Sequence, residues 1–239
     1  MKLFQAIPRH GSPPCHDFGP NEPDPRMTTP APDALTVALQ PLMIPAFTLW
    51  EAPFTWLEMV AFVLSLAMVA ANMRVMPVAW PLAIVSSLLY FGLFWSYQLY
   101  GDGSLQIFFA VVSLWGWWQW LRGTDDGAPL QVRALPRRAW LPVFGSGLLL
   151  WPAIGWFLDT RTPTDVPYWD AFPTAFSLVG QWLLARKHVE NWPTWIGVNL
   201  VSVALFAYKG LYLTVLLYAI FVVLSVLGWK AWRAQARRP

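Results

Sequence analysis

The sequence predicts an all-α integral membrane protein with seven transmembrane helices in a 3+1+3 parallel-repeat arrangement. Three observations carry that prediction. Of 239 residues, 56% are hydrophobic and only 12% charged, about half the charge of a typical soluble domain. Seven apolar runs follow one another closely, each about the 20 residues that cross a ~30 Å hydrocarbon core. The chain also matches itself without a gap, from 58–120 onto 170–232, an offset of 112 positions.

Residues 1–53 come first. They hold eleven of the twenty-two prolines, with Asp, Asn and Thr between them, and such a composition cannot bury a core. A disordered tail is expected, with at most a short interfacial helix over "AFTLWEAPF" (46–54). Residues 1–30 lack the apolar run of a secretory signal, and Met27 and Met43 stand as alternative translation starts.

The first three-helix repeat, 54–121, contains spans at 56–73, 78–99 and 104–121. A linker with the fourth span (140–158) occupies 122–168. The second repeat and a basic C-terminal tail fill 169–239, with spans at 169–185, 192–209 and 211–230. The repeat places Ser65-Leu66 on Ser177-Leu178, Arg74 on Arg186, Trp80-Pro81 on Trp192-Pro193, Gly116-Trp117 on Gly228-Trp229 and Trp120 on Trp232. Three helices per repeat would make consecutive repeats antiparallel, and the fourth span restores the direction. Such builds place their site near the midplane, at the repeat interface.

Basic residues set the orientation. A cytoplasmic C-terminus puts Arg74, Arg122, Arg133, Arg137, Arg138, Arg186, Lys187, Lys230, Arg233, Arg237 and Arg238 inside, and leaves Arg161 and Lys209 in the outer loops. The N-terminus is then periplasmic. In this topology the tryptophans of "LWGWWQW" (114–120) and "VLGWKAW" (226–232) lie at the cytoplasmic ends of the third and seventh spans. Trp117, Trp120, Trp229 and Trp232 are expected there as interfacial anchors, with buried rings and wet N–H groups.

The chemistry is concentrated in "NWPTWIGVN" (191–199). Pro193 suits a first helical turn. Trp192, Trp195 and Asn199 fall at i, i+3 and i+7 on one face, which sets Asn199 ~10 Å deeper than Trp192. An amide at that depth needs a partner, either another helix or a ligand. The matching positions of the first repeat, Ala83 and Ser87, are small and leave room, and Tyr90 lies one turn further on that face. Gln106, beside Phe108 and Phe109, together with Gln181 and Tyr218, completes the inward-facing polar set.

These stretches, with "YGDGSLQIFFAVVSLWGWWQW" (100–120), resemble the signature regions of the PnuC family of bacterial vitamin-precursor transporters over roughly residues 55–233. That family is similar in architecture to the SWEET sugar transporters. The resemblance implies a multi-pass protein of the bacterial inner membrane that takes up nicotinamide riboside by facilitated diffusion. It further implies trapping by cytoplasmic phosphorylation, a homotrimer, and Trp192, Trp195 and Asn199 in the substrate site. Thiamine and riboflavin are the alternative cargoes.

Other classes fare worse. The net charge of +3 is too modest to suggest nucleic acid, so the expected partners are a small molecule and membrane lipid. Cys15 is the only cysteine, the histidines (His10, His16, His188) are scattered, and no carboxylate pair lies within a span. No catalytic residue, metal site or cofactor is therefore expected, and a membrane enzyme or a non-transporting scaffold is the weaker reading.

Overall fold

The computed structural model describes residues 34–49, 52–96, 100–124, 127–162, 164–208 and 212–237. The tail preceding residue 34, with Cys15, His10 and His16, lies outside the described residues. Part of the Pro-rich segment is nonetheless structured. A short helix α1 (Ala34–Leu39) and a 3-10 turn (Gln40–Leu42) lead into strands β1 (Pro45–Leu49) and β2 (Ala52–Thr55), which pair antiparallel with Phe47 opposite Phe54 and Leu49 opposite Ala52. A hairpin thus stands where an interfacial helix over 46–54 was expected. Aromatic and β-branched residues suit a pleated ribbon, and Pro53 lacks the N–H that a helix over this stretch would need in its last turn. Leu39 lies against Gly92, so a β-carbon at that glycine would collide with it.

Among the described residues, seven longer helices follow: α2 (Trp56–Met73), α3 (Ala79–Ser96), α4 (Tyr100–Arg122), α5 (Arg137–Arg161), α6 (Pro167–Ala185), α7 (Asn191–Tyr208) and α8 (Tyr212–Gln235). Their ends fall within a few residues of the expected spans. Local chemistry explains several starts. The Thr55 hydroxyl accepts the Glu58 N–H at 3.2 Å while the Glu58 carboxylate accepts the Thr55 N–H at 2.9 Å, a reciprocal cap that satisfies two otherwise orphaned donors. Pro167 opens α6, and Pro193 occupies the first turn of α7.

The helix bounds repeat. α3 runs from 79 to 96 and α7 from 191 to 208, and α4 starts at 100 and α8 at 212, each 112 positions on. The turns repeat as well. Val75 (φ 57°) and Lys187 (φ 54°), again 112 apart, are the positive-φ non-glycine residues among those described. Both follow an arginine that ends its helix, Arg74 or Arg186.

At this basic end sits a core of indoles. Trp80, Trp120, Trp192 and Trp232 are 2%, 5%, 3% and 0% exposed. Trp80 meets Trp120 edge-on (5.5 Å, 86°), and Trp192 meets Trp232 in the same way (5.6 Å, 84°). Gly116 and Gly228 make this possible, since a β-carbon at either would overlap the six-membered ring of Trp80 or Trp192. The anchor expectation is therefore corrected for Trp120 and Trp232. They are interior residues, and the exposed rings at this end include those of Trp118, Trp140 and Trp229.

Residues 130–135 run across the same end as a strap. The Arg133 N–H donates to the Lys187 carbonyl (3.1 Å) and the Val189 N–H to the Arg133 carbonyl (3.0 Å). The Leu135 N–H donates to the Glu190 carboxylate (2.8 Å). Buried Lys187 donates to the Leu130 carbonyl (2.9 Å) and places its ammonium 4.4 Å from the Trp120 ring centre. Burial holds that ammonium below the usual lysine range.

By length and composition, α2, α3, α5 and residues 215–235 of α8 are apolar enough to cross a membrane. The other three long helices carry Asn, Gln, Thr, Trp and Pro, and they supply much of the polar wall described next.

Candidate functional site

A cavity of about 1410 Å³ runs between the helices. One end is the buried indole core, through Trp80, Trp192, Asn72 and Leu184. The other reaches the exposed side chains of Asp165, Phe157 and Tyr208. All eight residues singled out from sequence line it: Tyr90, Gln106, Phe109, Gln181, Trp192, Trp195, Asn199 and Tyr218. Gln106 and Tyr218 are 112 positions apart, as are Phe109 and Phe221, so matching positions of α4 and α8 face the same space.

The two tryptophans of α7 differ. Trp192 touches the cavity, but its ring is engaged with Gly228 and Trp232. Trp195 is half-buried and lies against Gly180 of α6, where a β-carbon would fall 3.1 Å from Cε2 of the indole. The first repeat reverses the sizes, with Met68 where α6 has Gly180 and Ala83 where α7 has Trp195. The flat indole therefore enters the cavity from one side only.

Asn199 is buried, and its amide donates to the Ser225 hydroxyl at 3.4 Å, a long bond at the limit of useful strength. Among the described residues, the Gln181 Oε1 and Asn72 Oδ1 atoms have no hydrogen-bond partner, and neither do the indole N–H groups of Trp80 and Trp192. Tyr218 stacks on Phe206 (5.2 Å, 28°), and Tyr90 on Phe94 (6.1 Å, 23°). A set of hydroxyls completes the wall: Ser65, Ser86, Ser113, Ser177, Ser202 and Ser225. Ser65 and Ser86 bond to each other at 2.8 Å.

Asp165 and Asp170 are the charged lining residues among those described, and no Lys, Arg or His is present in the wall. The Thr164 hydroxyl donates to the Asp170 carboxylate. Among the described residues, no group of three or more His, Cys, Asp or Glu is placed to hold a metal ion. The wall thus offers flat rings, amides, hydroxyls and negative charge at its exposed mouth. It suits a planar heterocycle with sugar-like hydroxyls.

Sequence reading placed Ser87 here only as a small residue that leaves room, and missed the serine hydroxyls as a polar wall, Asn72 and the acidic mouth. A signal for some was present, because Ser65 and Ser177, and Ser113 and Ser225, coincide at the repeat offset.

Known proteins with similar sequence or fold are transporters. Residues 55–234 match the family model described as nicotinamide mononucleotide transporter. The chain is 31% identical over 170 residues to the nicotinamide riboside transporter PnuC of Escherichia coli K12, covering 61% of this chain and 71% of that one. It is also 31% identical over 199 residues to the riboflavin/roseoflavin transporter RibM of Streptomyces davaonensis, covering 81% and 92%. Among solved structures, that of the vitamin B3 transporter PnuC superposes with a TM-score of 0.63 at 23% identity, over 77% of this chain and 83% of the other. These relatives are named as transporters, and the fold is theirs.

Proposed function

The chain belongs to the nicotinamide mononucleotide transporter family, and from that membership we propose that it takes up nicotinamide riboside by facilitated diffusion, with cytoplasmic phosphorylation trapping the cargo. It is a multi-pass membrane transporter rather than an enzyme. The observation that carries the choice of cargo is the chemistry of the cavity wall. Trp195, Tyr90, Phe109 and Tyr218 offer ring faces, each stack being worth ~1–3 kcal/mol. Asn199, Gln106 and Gln181 offer amides for ribose hydroxyls or a carboxamide. A phosphorylated cargo would call for cationic partners, and the described wall has none. The riboside suits it better than the nucleotide.

Riboflavin is the second reading, favoured by the likeness to RibM over 92% of that protein. The cavity has room for a tricyclic ring. The carboxylates of Asp165 and Asp170 at the mouth favour a pyridinium cation over the uncharged flavin, which ranks the riboside first.

The repeating helix bounds and the repeated Trp–Gly contacts support reading the architecture as seven spans in a 3+1+3 parallel-repeat arrangement. The basic residues around the indole core support placing that end in the cytoplasm, with the N-terminus periplasmic and the bacterial inner membrane as the location. Leu141, Leu149 and Trp156 on α5, exposed at 83%, 76% and 64%, provide apolar surface for lipid and for the neighbouring copies of a homotrimer. Uptake of labelled nicotinamide riboside, thiamine and riboflavin into proteoliposomes tests the reading. Nicotinamide riboside should equilibrate without accumulating. Failure of it to enter, or entry of riboflavin alone, overturns the assignment.

A further inference from the structure

We propose that Trp120 and Trp232 form the inner latch of the transport cycle, closing the basic end of the cavity by hydrogen-bonding each repeat to the other. The inference rests on the transport reading. The Trp120 Nε1–H donates to the Leu184 carbonyl at 3.2 Å, and the Trp232 Nε1–H to the Asn72 carbonyl at 2.8 Å. Shifting either bond by 112 positions gives the other, with the two halves exchanged. One runs from α4 to the last turn of α6, and the other from α8 to the last turn of α2. Each therefore crosses the seam between the repeats, and both do so at the closed end of the cavity.

The remaining indoles brace the crossing. Trp80 and Trp192, held over Gly116 and Gly228, press edge-on against Trp120 and Trp232, whose own ring centres are 6.3 Å apart. All four rings are nearly inaccessible. A cargo leaving at this end has to part Trp120 from Leu184 and Trp232 from Asn72.

A second observation separates a latch from ordinary core packing. Four polar atoms beside the crossing, Trp80 Nε1, Trp192 Nε1, Asn72 Oδ1 and Gln181 Oε1, have no hydrogen-bond partner among the described residues, although buried polar groups in a settled core are nearly always paired. Opening the end would wet these four groups while breaking two bonds. That balance suits an element with two accessible arrangements. The halves are also unequal. Lys187 and the strap support the Trp120 side, whereas the position matching Lys187 in the first repeat is Val75.

The test uses the full chain with Cys15→Ser, which removes its single cysteine, and Ala83→Cys, which places a thiol in the cavity wall. In vesicles of known sidedness, a membrane-impermeant maleimide should label this thiol only from the side of the acidic mouth. With Trp120→Phe or Trp232→Phe added, which keeps a ring and deletes the N–H, labelling from the basic side should rise at least tenfold. Well-folded Phe variants without that rise would reduce the four indoles to packing and overturn the proposal. Should the variants misfold, indole N–H exchange in the unsubstituted protein decides. Nicotinamide riboside should speed exchange at Trp120 and Trp232 together, and unchanged rates would sink the latch. Labelling needs no cargo, so an absence of riboside uptake would count against the cargo assignment without deciding the latch.

Discussion

Gly180 of α6 lies beneath the indole of Trp195 on α7, so close that a β-carbon would sit 3.1 Å from Cε2. The pair sets where the aromatic face stands in the cavity, because a glycine lets the ring lie flush against the neighbouring helix. Gly180→Val should push the indole out of register and weaken nicotinamide riboside binding by up to the full ~1–3 kcal/mol of one stacked ring, with the fold retained. Calorimetry on monodisperse protein checks this. Wild-type affinity in the valine variant would show that the ring position does not matter to cargo.

Trp195→Ala removes the face itself and should lower affinity roughly 5- to 150-fold, the equivalent of ~1–3 kcal/mol. Asn199→Leu keeps approximate size and loses the amide. It should also bind more weakly, since a ligand group left unpaired in a buried site adds about 1–3 kcal/mol. Titration of both variants, with the melting temperature as a control for folding, distinguishes lost contact from lost structure.

Gly116→Ala and Gly228→Ala should act alike, because each would drive a methyl into the matching indole, Trp80 or Trp192. Overpacking of this sort costs about 1–3 kcal/mol. Thermal melts should fall for both and further for the double variant. A neutral effect in one and a severe effect in the other would mean that the two contacts are not equivalent.

His188 gives a pH dependence. Burial, and after it the Arg133 guanidinium with a smaller contribution from Arg186, holds its imidazole below the ordinary value of 6.5. The native state therefore takes up this proton less readily than the unfolded chain, so stability falls as pH drops through about 6.5. His188→Phe should preserve the stack on Trp182 (5.9 Å, 20°) and flatten that fall. Melting curves of both proteins between pH 7.5 and 5.5 make the comparison, and parallel losses would place the titration elsewhere.

The orientation is open to a direct test. A reporter active only in the periplasm, fused after Pro239, should be silent, in keeping with the arginines and lysines around the indole core. Activity would invert the whole assignment of inner and outer ends.

The helices and their order were legible because apolar length and the self-match at Trp80-Pro81 and Trp192-Pro193 are local properties of the chain. The cavity wall was legible in part: Trp192, Trp195 and Asn199 share a face by spacing alone, and the inward set from the other helices was found as polar exceptions in apolar runs. The seryl hydroxyls were not, because serine is common in apolar helices and only its partner across the bundle reveals its direction. Trp120 and Trp232 were misread for a related reason. A tryptophan near a helix end fits either a membrane surface or an interhelical seam, and what decides is the carbonyl at Leu184 or Asn72, far away in sequence. The hairpin after Pro45 was hidden by the proline content around it.

The strap of residues 130–135 fastens the start of α5 to the turn between α6 and α7 through Arg133, Leu135 and Glu190, and α5 then packs along α6. The odd helix is thereby yoked to one half of the chain. In the 3+1+3 reading proposed above, α5 thus travels with α6–α8, and four helices on that side face the three of α2–α4, so the two sides carry unequal mass despite their matching sequence.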